Sequence, residues 1–350
     1  MSVTIEDVAK LARVSVSTVS RVLNNKGRIS QETRHRVLEA ARELQHPLMT
    51  SRLSRCRRRS DNIGILFNKR LKSLLSDPFY GLVMEGVEEV LRRKGYHVFF
   101  STLSNKDEDL EMITAFGRDR KVDGLIMAGC DVDIDYISRA LEEDIPLVLV
   151  DNNLAKPKVP CVVTDNVTGA REAVEYLIRL GHRDIGFVSG PMSHSSLNER
   201  FHGFRQALDD NHIPLRSEWI HTSEDVALFG VEGGYEGMKR MLARPRVPTA
   251  VLTGNDFMAF GVLKAAQEAG LRVPEDLSVI GFDDVEMAAH SSPPLSTVRV
   301  RKKELGILAA KLLFEMIDEQ TQAATYNVVV HTELVIRQSV ASKASQAQAG

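Results

Sequence analysis

Thr4-Ile-Glu-Asp-Val-Ala-Lys-Leu-Ala12, then Arg13, then Val14-Ser-Val-Ser-Thr-Val-Ser-Arg-Val22 is the stretch that decides how this 350-residue chain is organised. The Thr4 hydroxyl can cap a helix, and Asp7, three residues on, can return a hydrogen bond and favour the helix dipole. Val8, Leu11 and Ala12 then share one face of a short helix. Residues 13–15 break it, and Ser15 can cap a second helix over 16–23. There Val19, Val22 and Leu23 fall on one side, while Val16, Ser17, Ser20 and Arg21 can point outward. After the turn Asn24-Asn-Lys-Gly27, Ser30 opens a third helix to about Leu44, with Val37, Leu38, Ala41 and Leu44 as its apolar stripe. Two helices joined by a three-residue break form a helix-turn-helix, which lays its second helix in the major groove of DNA. Val16 can then touch a thymine methyl, Ser17 can bond a base or phosphate, and Arg21 can reach guanine or a phosphate. Periodicity alone suits equally a small helical domain with a solvated charged face.

The charge distribution agrees with a DNA-binding head. Residues 1–60 carry a net charge of +8 and the remaining 290 a net of −10, although the whole chain is at −2. A basic head on an acidic body means that only the head is suited to a polyanion. No apolar run approaches the ~18 residues a membrane span needs, so no membrane partner is expected. The polar N-terminus lacks a signal-peptide core, which places the chain in the cytoplasm. Cys56, Cys130 and Cys161 have no C-x-x-C spacing, and the ten histidines form no H-E-x-x-H pair. Neither Gly-x-Gly-x-x-Gly nor a Walker-type loop occurs, and Gly186-Phe-Val-Ser-Gly190 misplaces the serine of a nucleophile elbow by one residue. No catalytic residue, metal or cofactor is therefore assigned.

The quoted stretch, ending in Asn24, resembles the DNA-binding signature of the lactose/galactose repressor family, T-x-x-D-V-A-x-x-A-x-V-S-x-x-T-V-S-R-x-x-N. The resemblance implies that Val16, Ser17 and Arg21 read operator bases. It implies phosphate contact or capping for Thr4, Ser15, Thr18, Ser20 and Asn24. In this family a hinge helix follows the head and inserts a leucine into the minor groove, and Leu53 is the matching residue. The hinge departs from the family pattern here: the alanine before the arginine is missing, and Arg57-Arg58-Arg59 adds charge. An ordered hinge and a flexible phosphate-hugging linker both remain open, and both predict salt-sensitive binding.

From residue 62 the pattern becomes short apolar runs alternating with amphipathic helices. Strands are expected at 63–67, 98–103, 124–128, 147–150, 185–189, 250–253 and 278–282. Helices are expected at 79–94, 107–118, 134–142, 168–180, 199–211, 234–243, 256–269 and 303–318. Such alternation implies parallel sheets covered on both faces. The span is too long for one sheet unit, and crossings near 163 and 291 divide it into two. The expected fold is an all-α helix-turn-helix head plus an α/β two-lobed body of two parallel doubly wound sheets, similar to periplasmic binding proteins. Its divisions are 1–46 for the head, 47–61 for the hinge, 62–340 for the body and 341–350 for a flexible tail. Within the body, about 62–163 and 291–322 form the first lobe, and about 164–290 and 323–340 the second.

Ligands of open parallel sheets sit off the carboxyl ends of the strands. Asp77, Phe79 and Tyr80 follow the first strand, Asp151 the fourth, Arg200 the strand at 185–189, Asn255 the strand at 250–253, and Asp283 with Asp284 the strand at 278–282. Acids, a guanidinium, an amide and rings suit a hydroxyl-rich small molecule. Asp77-Pro-Phe-Tyr80, Val122-Asp-Gly-Leu-Ile126, Leu180-Gly-His-Arg-Asp-Ile-Gly186, Asn198-Glu-Arg-Phe-His-Gly203, Asn255-Asp-Phe-Met-Ala-Phe-Gly261 and Gly281-Phe-Asp-Asp284 also resemble the family's effector domain. That resemblance implies effector contacts from Phe79, Asp151, Arg200, Phe229, Asn255 and Asp283, although the segment 222–232 departs from the usual length. Plainer roles exist: Asp77 can cap a helix, Asp165 and Asn166 can cap the helix from Thr168, Asp284 can serve nearby backbone, and the Gly181-His182-Arg183 turn reads as structural.

A single reading head covers few base pairs, so a homodimer on a palindromic operator is expected, with helices near 79–94 and 256–269 contributing to its interface. The polar tail has no heptad to join dimers into tetramers. The expected function is a transcription repressor controlled by a small effector, a sugar or a derivative. A solute-binding protein would need a secretory signal in place of residues 1–60, an enzyme would need a recognisable acid, base or nucleophile, and a protein-controlled regulator sits poorly with a polar cleft.

Overall fold

The computed structural model describes residues 4–23, 29–44, 59–68, 78–129, 132–154, 156–223, 230–319 and 327–344. The chain divides into two units, Met1–Ser60 and Asp61–Gly350.

In the first unit α1 spans Ile5–Ala12, α2 Val16–Leu23 and α3 Gln31–Glu43. Thr4 and Asp7 form a reciprocal capping box: the Thr4 amide donates to Asp7 Oδ2 at 2.9 Å, and the Asp7 amide to the Thr4 hydroxyl at 3.4 Å. The helix ends at Arg13 in the left-handed region, with φ 52°. Ser15 starts α2 by accepting from the Thr18 amide at 3.2 Å, and Ser30 starts α3 by accepting from the Thr33 amide at 3.2 Å. Val8, Ala9, Ala12, Val19, Val22, Val37, Ala40 and Ala41 form the core, with Leu44 packed against it. Leu11, expected inside, is 43% exposed. Ala9, 6% exposed, lies in the core instead.

The second unit holds two sheets, each with helices around it. The first contains β1 Asn62–Asn68, β2 His97–Leu103, β3 Gly124–Ala128, β4 Leu147–Val150, β5 Cys161–Thr164 and β11 Asn327–Val330, in the order β11-β5-β4-β3-β1-β2, all parallel. Helices α4 Pro78–Lys94, α5 Lys106–Arg118, α6 Ile134–Glu142 and α12 Lys302–Glu319 belong to this lobe. The second sheet contains β6 Ile185–Ser189, β7 Ile220–Thr222, β8 Ala250–Thr253, β9 Ser278–Asp283, β10 Ser296–Arg299 and β12 Glu333–Val335, in the order β12-β10-β9-β8-β6-β7. With it go α7 Asn166–Arg179, α8 Ser195–Asp210, α9 Val231–Leu242, α10 Asp256–Glu268 and α11 Glu286–His290.

Both sheets reverse their winding direction beside the first strand of the lobe, β1 or β6, which is where an open α/β sheet leaves a crevice. Helices cross closely at glycines. A Cβ on Gly86 or Gly306 would overlap backbone across the α4–α12 crossing, and one on Gly234 or Gly261 would do so across α9–α10.

Several boundaries differ from expectation. β12 runs antiparallel to β10, so the second sheet is not wholly parallel. β10 pairs with β9, which moves the second crossing from about 291 to the segment between Arg299 and Lys302. β11 pairs with β5, so residues 327–330 lie in the first lobe, and the third crossing falls between Val330 and Glu333. Ser296 and Thr297 of β10, on opposite faces of the strand, are both fully buried, so an apolar run could not reveal it. The start of the tail is fixed and not free: the Ala341 carbonyl accepts from His182 Nε2 at 3.0 Å, and the Lys343 amide donates to the Leu180 carbonyl at 2.9 Å.

Candidate functional site

In the head, the first turn of α2 carries the outward side chains. Val16 is 45% exposed, Ser17 and Arg21 are exposed, and Thr18 and Ser20 are half-buried. The Ser15 hydroxyl lies 2.9 Å from that of Ser17 and 2.8 Å from that of Thr18, so a hydroxyl cluster marks the start of the helix. The N-terminus of α2 presents amides, and Arg21 in its last turn presents a cation, to phosphate or base edges. Thr4 is exposed beside its own capping box. Asn24 and Leu53 lie outside the described residues.

In the body, Phe79, Asp151, Arg200, Asn255 and Asp283 line one cavity between the lobes. Phe229 and Asp77 lie outside the described residues. Phe79 and Tyr80 belong to the first turn of α4 and not to a loop, and Arg200 sits on α8, which begins four residues earlier than expected. Packing overrides the weak helix propensity of Ser195-Ser196, because Leu197 is 1% exposed and Ser196 bonds a cleft carboxylate.

The cavity wall is a network of buried charges. Asp151 ends β4 in the left-handed region at φ 57°, where its carboxylate accepts from the Tyr80 hydroxyl at 3.0 Å and the Ser196 hydroxyl at 2.8 Å. Arg200 Nε donates to Asn166 Oδ1 at 2.9 Å, and its Nη1 donates to the Gly254 carbonyl at 2.6 Å. The guanidinium stacks 3.8 Å over the Phe282 ring and stands 3.2 Å from Asp283 Oδ1. The ion pair falls short of hydrogen-bond geometry, and Asp283 Oδ1 is buried without a hydrogen-bond donor. Burial pushes the carboxyls of Asp151 and Asp283 above the usual range, with Arg200 opposing it in both cases. Asn255 Oδ1 caps α10 by accepting from the Met258 amide at 2.9 Å, which leaves its amide NH2 as the group to offer a ligand.

Sequence reading missed two contributors, Ser196 and Asn166. Ser196 holds Asp151 from the second lobe, while Tyr80, expected at the cleft, does so from Asp151's own lobe. Asn166 does not cap α7, since Asp165 does that through the Thr168 amide; instead Asn166 bridges Arg200 and Glu199, donating to Glu199 at 2.9 Å. Each is a hydroxyl or amide that only the fold brings to a strand end. Asp284 turns away from the cavity, 2.7 Å from both Arg299 and Arg337, and His182 is spent on Thr249 and Ala341. The cavity measures about 60 Å³, less than a sugar ring occupies. Hydroxyl donors, carboxylates and a guanidinium at fixed positions can bind a polyol; they provide no paired nucleophile and base.

Known proteins show the same arrangement. Residues 4–46 match the family described as bacterial regulatory proteins, lacI family, and residues 174–340 match a periplasmic binding protein-like domain. "Probable HTH-type transcriptional repressor ExuR" of Bacillus subtilis (strain 168) is 34% identical over 342 residues, covering 97% of this chain and 98% of its own length. The HTH-type transcriptional repressor PurR of Klebsiella pneumoniae (strain 342) is 35% identical, with 97% of each chain covered. Among solved structures, the transcriptional regulator CelR–cellobiose complex superposes with a TM-score of 0.72 at 30% identity, covering 96% of this chain and 99% of that one. The lac repressor dimer bound to operator and the anti-inducer ONPF gives a TM-score of 0.70 at 29% identity, covering 97% of this chain and all of that one. With a helix-turn-helix head, a two-lobed body and relatives of this identity over nearly its full length, the chain belongs to the lacI family of bacterial regulatory proteins.

Proposed function

We propose that this protein is a sequence-specific transcription repressor whose affinity for a palindromic operator is set by a small polar ligand, a sugar or a sugar derivative, held between the lobes of the body. Asp283 carries the effector half of this reading: a buried carboxylate oxygen without a hydrogen-bond donor, on the wall of an inter-lobe cavity, is an acceptor for a ligand hydroxyl. Asp151 accepts further hydroxyls, Arg200 and Asn255 donate, and Phe79 covers an apolar sugar face, with Phe229 assigned to the same site. That a relative binds cellobiose fits this chemistry.

On the DNA side, Val16, Ser17 and Arg21 contact base edges. Thr4, Ser15, Thr18, Ser20 and Asn24 serve phosphates or caps, and Leu53 enters the minor groove. The protein works as a homodimer in the cytoplasm, on the nucleoid. An exposed apolar stretch on edge strand β2, Val98, Phe99 and Phe100, supports a second copy as partner. Coupling between the two sites equals the difference in ligand affinity between the lobe arrangements that favour and disfavour operator binding. Among the described residues no helix is long and apolar enough to cross a membrane.

Two measurements test the proposal. Selection of genomic fragments followed by footprinting is expected to return a two-fold symmetric site. Thermal-shift screening against sugars, sugar acids, sugar phosphates and nucleobases is expected to single out one class, since a bound ligand raises apparent stability. No preference over random duplex at any salt concentration contradicts the first half, and no hit contradicts the second.

A further inference from the structure

Lys302 opens α12 immediately after the second crossing between lobes and is 4% exposed. Burial lowers its pKa below the usual lysine value, with Asp283 opposing the effect. Yet among the described residues its ammonium hydrogen-bonds no carboxylate. It donates to three backbone carbonyls: those of Asp283, Asp284 at 3.1 Å and Val300 at 3.4 Å. Its Nζ also lies 6.0 Å from the centre of the Phe79 ring.

The carbonyls of Asp283 and Asp284 belong to a strained corner. Asp283 has φ 109° and Asp284 φ 56°, two consecutive non-glycine residues in the left-handed region. A non-glycine residue held there persists only when its surroundings hold it. On one side Arg299 and Arg337 grip the Asp284 carboxylate, both from the second lobe. On the other side the grip is Lys302, from a helix that packs on α4, β3, β4 and β5 of the first lobe. Asp283 is the member of the pair whose carboxylate is left to the cleft.

We propose that Lys302 is the positioning residue of the effector site: by holding the carbonyls of the 283–284 corner from the opposite lobe, it aims the Asp283 carboxylate into the cleft and makes that aim depend on how the lobes stand. This rests on the cleft being the effector site. Asp284 anchors the corner, Asp283 senses the ligand, and Lys302 transmits between Asp283 and the first lobe. Arginine retains the charge, but its planar fork cannot converge on three carbonyls as an ammonium does.

The first test needs no ligand. Amide hydrogen exchange of the full-length protein is followed at residues 283–286 in wild type, Lys302→Met and Lys302→Arg. Lys302→Met is expected to speed exchange there by about tenfold, with the rest of the second sheet unchanged and Lys302→Arg intermediate. Should Lys302→Met fail to fold, Lys302→Arg alone carries the same comparison. No acceleration, or acceleration spread over the whole sheet, overturns the proposal.

The second test titrates ribose and cellobiose separately into wild type, Lys302→Met, Asp283→Asn and the double variant. For a sugar that binds wild type, each single variant is expected to weaken affinity by about tenfold and the double variant no further, because both act through one carboxylate. Additive losses overturn the positioning role. Binding of neither sugar by wild type counts against the sugar reading of the cleft, while the exchange result still decides the role of Lys302.

Discussion

Arg200 and Asp283 meet at 3.2 Å on the wall of the inter-lobe cavity, yet the facing oxygen, Asp283 Oδ1, accepts no hydrogen bond. The nearest guanidinium nitrogen donates one of its two protons to the Gly254 carbonyl 2.6 Å away, and no hydrogen bond from it to Asp283 is formed. The charge of Asp283 is thus compensated while one acceptor site is left open, as a cleft made for hydroxyl groups requires.

Replacing Asp283 with Asn tests ligand binding and stability together. The substitution leaves the buried Arg200 guanidinium without its carboxylate partner, so the melting temperature at neutral pH should fall. The ligand-induced thermal shift should shrink in step with about tenfold weaker binding, because a neutral amide oxygen accepts a hydroxyl less strongly than a carboxylate does. A full shift with the bound sugar in Asp283→Asn would contradict the cleft assignment.

Asp256 gives a pH signature. Burial, and then the neighbouring Asp283, push its carboxyl up to about 8, against hydrogen bonds from Thr297 at 2.5 Å and the Val285 amide at 2.8 Å. The folded state then holds a proton that the unfolded state releases near 3.8, the ordinary aspartate value. Stability contributed at this site falls as pH rises between those values, by up to about 1.4 kcal/mol per pH unit. Between about pH 6.5 and 8, His182 and His221, both held below the usual imidazole value by burial, stay neutral and do not interfere. Denaturant midpoints measured across that window should decline for wild type relative to Asp256→Asn. Parallel curves would mean that Asp256 is ionised throughout.

Arg21 is the long, exposed cation on the reading helix. Arg21→Ala should cost roughly 1–3 kcal/mol in operator affinity if it reads guanine, and relax selectivity at one position of each half-site. A phosphate role predicts instead a uniform loss across sequences with a shallower salt dependence. Competition binding at two salt concentrations distinguishes the two; unchanged binding would remove Arg21 from the interface.

Val98 is 37% exposed on β2, the edge strand of the first sheet. A lysine there places a charge on an edge that would otherwise meet a second copy. Sedimentation velocity should show a dimer for wild type and a shift toward monomer for Val98→Lys. A tetrameric wild type would contradict the homodimer.

The sequence by itself determined whatever depends on neighbours along the chain. The capping box of Thr4 and Asp7, the Ser15 start of the reading helix and the alternation of apolar strands with amphipathic helices are local, because caps and periodicities act over a few residues. The strand-end rule was enough to bring Phe79, Asp151, Arg200, Asn255 and Asp283 to one cavity. Tertiary structure alone decided the lobe crossings, since β10 and β11 owe their places to pairing across the chain and β10 buries Ser296 and Thr297 where a core strand would carry apolar side chains. It also decided that Asp284 anchors while Asp283 is left to the cleft, and that Lys302 grips their carbonyls from the other lobe. Adjacent aspartates are equivalent in a string of letters; they part company only when the backbone turns one side chain toward arginines and the other toward the cavity.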